Sequence, residues 1–157
     1  MRPCQVIVER LCDLVWPPDL MGDICLWRKV TVEELLRHEP LVEYIDENAR
    51  VPSEELFRYL SEDGHLNEGY VVTDDAWNIR RARFFYDRLV SGQTLDPICI
   101  DNLCDGGNIY AQPVIIDGHH RLGASLIAGA QTIPAHYGGR VDLKNYLTGK
   151  RRTRPSD

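Results

Sequence analysis

The stretch that decides the fold is Ile115-Ile116-Asp117-Gly118-His119-His120-Arg121. Apolar, β-branched residues lead into Gly118, and the residues after Arg121 have the spacing of a buried helix that ends at Gly129. A glycine between a strand and a helix marks a tight connection. The stretch therefore predicts a strand–turn–helix unit in an α/β protein, with three polar side chains in the first turn of the helix.

The start of this predicted helix favours an anion. A helix N-terminus carries unsatisfied N–H groups and partial positive charge, and Gly118 would let the backbone approach a ligand closely. Arg121 can form a bidentate pair with a phosphate, and a histidine can donate to phosphate or transfer a proton. Because cationic groups oppose the helix dipole here, the pattern favours a phosphate site. We expect Arg121 to be exposed and to matter for binding rather than for folding.

Other interpretations of these polar residues stay open. His119 and His120 could ligate a metal, but adjacent side chains on a helix diverge by about 100°, which makes a shared ion awkward. An ordinary exposed surface is the third interpretation. Upstream, Arg80 and Arg83 lie on one side of a predicted helix, where they would form either a phosphate clamp or a solvated face.

Length and composition set the class of protein. The chain has 157 residues, of which 43% are hydrophobic and 27% charged, as in one soluble globular domain. No apolar run approaches the ~18 residues of a membrane span, and no signal peptide is recognisable. We therefore expect a cytoplasmic protein whose five cysteines are reduced. Cys99 and Cys104 would either chelate a metal or, as we favour, act as small buried hydrophobic residues.

Charge is unevenly distributed along the chain. The net charge of −6 argues against a protein that coats DNA generally. Residues 33–63 contain ten acids and three arginines, whereas the C-terminal tail is basic. The cations of this tail, Lys150, Arg151, Arg152 and Arg154, predict a local DNA contact on a flexible segment.

The predicted secondary structure differs between the two halves of the chain. The first half contains a short strand at 4–8, a capping box at Thr31–Glu34 that opens an acidic helical region, and a further helix from Pro52. The second half predicts helices and strands at 73–92, 97–100, 112–116, 122–129, 132–137 and 141–147. We therefore divide the chain into a mainly helical N-terminal extension (1–72), a core on which it packs (73–149) and a basic tail (150–157).

Four motifs in the second half resemble the ParB/sulfiredoxin superfamily. They are Leu95–Ile100, Ile115–Ala124, Thr132–Ala135 and Asp142–Leu147. The likeness covers roughly residues 73–149, about half of the chain. It implies that this core is a small mixed-sheet α+β fold that binds a nucleoside triphosphate at the helix start.

The resemblance also implies roles for individual residues. The nucleotide contacts would be Gly118, His120, Arg121 and either Arg80 or, with a gap of one residue, Arg81. His119 stands at the position of the reactive cysteine of sulfiredoxins, so repair chemistry that depends on this thiol is not expected.

These roles imply a nucleotide-hydrolysing enzyme, an ATPase that uses Mg²⁺ and has DNA cleavage as a second activity. Asp117 would orient Mg²⁺ or water and His119 would be the general acid or base, with His120 and Arg121 completing the catalytic group. Similarity to the Osa-type fertility-inhibition branch implies a plasmid protein that blocks DNA transfer by acting on secretion or conjugation machinery. The alternatives are a nucleotide-gated binding module without catalysis and a kinase of free amino acids or other small metabolites.

Overall fold

The structure is a computed structural model that describes residues 2–14, 24–41, 66–67, 70–71, 75–105 and 108–156. These ranges contain both helices and strands. In chain order they are β1 (Cys4–Ile7), α1 (Val8–Leu14), α2 (Ile24–Lys29), α3 (Val32–Arg37), β2 (Leu66–Asn67), β3 (Tyr70–Val71), α4 (Asp75–Val90), β4 (Ile98–Asp105), β5 (Asn108–Asp117), α5 (His119–Ile127), β6 (Thr132–Gly138) and α6 (Val141–Leu147). Among the described residues, no helix combines the length and apolar character that crossing a bilayer requires.

Four strands form a mixed sheet in the order β1-β6-β4-β5, and β2 pairs with β3 separately. Strand β6 is parallel to β4 and antiparallel to β1, while β5 is antiparallel to β4. Helices together with a mixed sheet confirm the predicted α+β class. Strand β1, which lies in the predicted N-terminal extension, is an edge strand of the sheet that the predicted core forms.

The hairpin of β4 and β5 is longer than the sequence predicted. The turn-forming residues at 104–108 suggested a connection between two short strands. In the structure Cys104 pairs with Ile109, and Asp105 pairs with Asn108, so the ladder continues to the turn itself. Cross-strand pairing here outweighs the weak strand preference of Asp and Asn.

The hydrophobic core combines residues from both halves of the sequence. Alternate residues of β4 and β6 point into it, as the two-residue period of a strand requires. Helices α1, α5 and α6 add apolar side chains to the same cluster. The fully buried members include Val6, Leu11, Ile98, Leu122, Ile133, Leu143 and Leu147.

Helix boundaries follow the local chemistry that the sequence indicates. The hydroxyl of Thr31 accepts a hydrogen bond from the backbone N–H of Glu34 at 3.1 Å, which is the predicted N-cap of α3. Helix α4 is followed by Gly92 in the left-handed region, with φ of 88°. The helical period predicted at 41–45 and the helix predicted from Pro52 lie outside the described residues, except for Leu41.

Close packing fixes the position of α5. Gly118, between β5 and α5, has φ of 107°, and a Cβ there would lie 2.4 Å from the side chain of Ile98. At Gly123, a Cβ would lie 2.5 Å from the ring of Trp27 on α2. Both glycines let α5 approach its neighbours closely, so the first turn of α5 is held between β4 and α2.

Candidate functional site

The strand–turn–helix unit predicted at 115–121 is present. Strand β5 ends at Asp117, Gly118 is the N-cap of α5, and the N–H of Leu122 donates to the Gly118 carbonyl at 2.9 Å. No side chain caps the helix at Gly118. Asp117, His119, His120 and Arg121 therefore share one turn of chain at the positive end of the helix.

Arg121 points inward, which corrects the expectation that it is exposed. The residue is 2% exposed, and its Nη1 donates to the carbonyl oxygens of Asp96 at 2.6 Å and Pro97 at 2.8 Å. Its Nη2 donates to Oδ2 of Asp117 at 3.3 Å. The two carbonyls precede β4 and lie outside the sheet ladder, so the guanidinium satisfies them and joins α5 to this segment. Arg121 thus has a structural role that the sequence argument did not assign.

His120 is held as a neutral side chain. Its Nε2 lies 2.8 Å from Oδ1 of Asn78 on α4, and because an amide oxygen only accepts, Nε2 carries the proton. The ring packs edge-on against Trp27, with centroids 6.0 Å apart. Burial, followed by the charges of Arg81 and His119, lowers the pKa of His120 to about 3. A neutral ring with its proton directed at Asn78 has no second N–H for a phosphate, which argues against the predicted contact.

Arg80 and Arg83 share one side of α4, as their spacing predicts, but they hold protein carbonyls. Nε of Arg80 donates to the Glu39 carbonyl at 3.0 Å. Nη1 of Arg83 donates to the carbonyls of Leu36 at 3.2 Å and His38 at 2.9 Å. The pair therefore clamps the C-terminal end of α3 onto α4, where helix carbonyls lack intrahelical partners.

Arg81 is the arginine of α4 that lies near the start of α5. It is 5% exposed, and its guanidinium lies 5.1 Å from the centroid of the Phe85 ring. Its charge contributes to the lowered pKa of His120. Of the two residues proposed for the phosphate-binding position, Arg81 rather than Arg80 therefore faces the helix start.

Asp117 and His119 retain exposed surface at this helix start. The Asp117 side chain is 47% exposed, and His119 is partly exposed although its Nδ1 is buried. Within the described residues, no three His, Cys, Asp or Glu side chains are grouped as a metal-binding set. Cys99 is a half-buried free thiol paired in register with Asp117, and the Cys104 side chain lies outside the description. Asp117 is therefore a half-exposed carboxylate at the start of α5 that could serve as one metal ligand.

The basic tail is held against the protein rather than extended from it. Nη1 of Arg10 donates to the carbonyls of Tyr146 at 2.5 Å and Arg151 at 2.9 Å. Nη2 of Arg140 donates to the Ser156 carbonyl at 2.9 Å, and the intervening Pro155 is buried. The tail therefore differs from the flexible segment that its composition predicts. The roles of Arg10 and Arg140 could not be predicted, because their partners are backbone atoms more than ten residues away and no spacing pattern reveals them.

Comparison with protein-family models, with curated proteins and with solved structures finds no significant match. The resemblance to the ParB/sulfiredoxin superfamily, with the Osa-type branch within it, therefore stays a prediction that rests on the four sequence motifs.

Proposed function

We propose that the protein binds a nucleoside triphosphate at the start of α5 and hydrolyses it. One observation carries the proposal: two arginines, 5% and 2% exposed, bring their charges to the positive end of α5. These residues are Arg81 and Arg121. Their charge adds to the partial positive charge of the helix N-terminus, and both would attract a bound anion.

We assign the ligand contacts differently from the prediction made on sequence, because His120 and Arg121 are engaged within the protein. Backbone N–H groups of the first turn of α5 and the partly exposed His119 would face the phosphates. Arg121 and His120 are positioning residues, because one fixes the turn to the segment before β4 and the other fixes it to α4. The charge of Arg121 would act on the ligand from beneath the turn, and the packing of both side chains would keep the turn in place.

Asp117 fits the requirements of Mg²⁺ in such a site. Mg²⁺ commonly takes one or two protein carboxylates together with substrate phosphates and waters, so a full set of protein ligands is not required. The half-exposed Asp117 carboxylate could supply one oxygen, shared with its contact to Arg121. Bound Mg²⁺ would neutralise phosphate charge.

His119 would hold or move the proton of the attacking water. A general acid or base works best when its pKa lies near the working pH. His120, with a pKa of about 3, does not meet this condition near neutrality. His119 is the other histidine of the turn, and it retains the exposed surface that contact with water requires.

DNA cleavage is the second activity that the resemblance implies, and it would use the same turn on a phosphodiester. Fertility inhibition, through a component of conjugation or secretion machinery, would follow from either activity.

A nucleotide-gated binding module is the competing proposal, and one observation favours it. Two of the predicted contacts, His120 and Arg121, are engaged in holding the fold.

The test measures nucleotide affinity by calorimetry and phosphate release under single-turnover conditions, with Mg²⁺ present. We expect His119→Gln to lower the hydrolysis rate by roughly 10²–10⁴-fold while affecting affinity much less. His38→Gln, a histidine at the end of α3, is the matched control and should change neither quantity. Binding without phosphate release would support the binding module, and no binding of any nucleoside triphosphate would overturn the proposal.

A further inference from the structure

One arginine joins the tail to two helices. Arg10 of α1 donates from the same Nη1 to the carbonyl of Tyr146, in α6, and to that of Arg151. Its guanidinium also lies 4.5 Å from the centroid of the Tyr146 ring. The backbone N–H of Arg151 in turn donates to the Asn145 carbonyl at 3.0 Å. The beginning of the tail is therefore fixed to α1 and α6 through its backbone.

A second arginine fixes the end of the tail. Arg140 forms a two-point ion pair with Asp142, with Nε–Oδ1 and Nη2–Oδ2 distances of 3.1 and 2.7 Å. The same Nη2 donates to the carbonyl of Ser156. This ion pair lowers the pKa of Asp142, which keeps the carboxylate charged and the guanidinium oriented. Both ends of the segment 150–156 are thus anchored by arginines outside it.

The anchors leave the basic side chains of the tail on the surface. Residues 144–156 contain five cations and no carboxylate, in a chain whose net charge is −6. The residues that carry these cations are exposed. They are Lys144, Lys150, Arg151, Arg152 and Arg154. Arg10 and Arg140 anchor the tail through its backbone carbonyls, so these anchors do not use the side chains of Arg152 and Arg154. Within the tail, Nε of Arg151 donates to the Thr153 carbonyl at 3.0 Å.

We propose that these five residues form a preorganised surface that binds the phosphodiester backbone of duplex DNA. Proteins commonly recognise that backbone through clusters of Lys and Arg. Single-stranded nucleic acid would require aromatic rings for stacking, whereas the Tyr146 ring is covered by Arg10. Firm binding to a membrane surface usually adds apolar insertion to the attraction of charge, and residues 150–154 have no apolar side chain.

Preorganisation separates this proposal from simple attraction by a mobile basic tail. Ordering a mobile segment on binding opposes affinity, whereas a tail already fixed in the free protein avoids that loss. A change that releases the tail but keeps its charge should therefore weaken binding. The surface does not depend on the nucleotide site at α5, so the two proposals can fail separately.

The test is fluorescence anisotropy with a labelled duplex of mixed sequence, titrated at several salt concentrations. Arg10→Lys retains the charge but loses the planar fork that reaches two carbonyls, so we expect roughly tenfold weaker binding with little change in salt dependence. Arg152→Gln combined with Arg154→Gln keeps both anchors. This double variant should reduce the slope of log affinity against log salt by about 2, one for each lost phosphate contact.

Two controls keep the result interpretable. Arg37→Gln combined with Arg88→Gln removes the same charge from exposed positions on α3 and α4, and should leave the salt slope close to that of the wild type. Arg140→Lys loosens the other anchor and should repeat the effect of Arg10→Lys, which guards against a variant that simply folds poorly. Three outcomes would each overturn the proposal. They are wild-type affinity in both anchor variants, an unchanged salt slope in the tail variant, and binding to anionic vesicles in preference to DNA.

Discussion

Arginine side chains have opposite roles in two regions of this molecule. At the start of α5, the Arg121 guanidinium is buried and holds two backbone carbonyls. In the tail, the backbone is what is held, and exposed residues such as Arg152 keep their charges toward solvent. The difference shows that the role of an arginine depends on whether backbone carbonyls lie within reach of its guanidinium. Arg10 and Arg140 bind backbone carbonyls, as Arg121 does. By doing so they hold the tail in place while its own arginines stay exposed.

The arginines of the two regions also differ in how much they contribute to the free energy of unfolding. A hydrogen bond from a charged group in a buried setting contributes about 1.5–3 kcal/mol, and leaving its acceptors unsatisfied costs a similar amount. An exposed cation contributes about 0–1 kcal/mol to stability. Substitutions in the first region should therefore mainly change folding, and substitutions in the second should mainly change binding.

The largest effect is expected for Arg121→Ala. It leaves the carbonyls of Asp96 and Pro97 without their donor, and we expect the free energy of unfolding to fall by about 3–5 kcal/mol. Arg121→Lys keeps the charge but not the fork, so it should lie between Ala and wild type. Urea denaturation measures both. A loss below about 1 kcal/mol for Arg121→Ala would restore the view of Arg121 as a ligand-binding residue.

Gly118→Ala is expected to have the next largest effect. The left-handed backbone contributes about 1 kcal/mol of strain, and the new Cβ would collide with Ile98, so the total loss should be about 2–4 kcal/mol. Gly129, at the other end of the same helix, has φ of 73° but no atom within 4 Å of a built Cβ. Gly129→Ala should therefore show the strain alone. If urea denaturation shows equal losses of stability for Gly118→Ala and Gly129→Ala, the Ile98 side chain moves away from the new Cβ at no cost.

The pH dependence of stability gives the third prediction. The pKa of His120 is lowered in the folded protein, so below pH ~6.5 the unfolded chain binds the proton first and stability falls toward acid. Between pH 7 and pH 5 this histidine should remove about 2 kcal/mol. His120→Gln lacks the titration, so its stability should decline less over that interval, by about the same 2 kcal/mol. Parallel pH profiles in the two proteins would contradict a His120 that stays neutral in the folded protein.

These effects also show what the sequence could and could not predict. Local signals were sufficient for the strand–turn–helix unit, for the Thr31 cap and for the extent of α6, since each depends on neighbouring residues. The direction of Arg121 depends on carbonyls more than twenty residues earlier in the sequence, which come close only after β4 and β5 pair.

The candidate site was predictable to the same extent. The sequence predicted that Asp117 to Arg121 lie together where the strand meets the helix, because these residues are neighbours in the chain. It could not separate His119 from His120, because the difference is made by Asn78 and Trp27 on two other helices. The tail was predicted as basic, but its docking required Arg10, which is distant in sequence and whose partners are backbone atoms.

The smallest effect on stability is expected for Arg152→Ala, and it completes the comparison with Arg121. Arg152 is exposed and lies between anchors that use other residues, so its loss should change the free energy of unfolding by no more than about 0.5 kcal/mol. The same variant should lower the salt slope of DNA binding by about 1. Urea denaturation and anisotropy on one protein preparation give both values. A stability loss above about 1 kcal/mol would place Arg152 among the anchoring arginines, and the division between the two regions would fail.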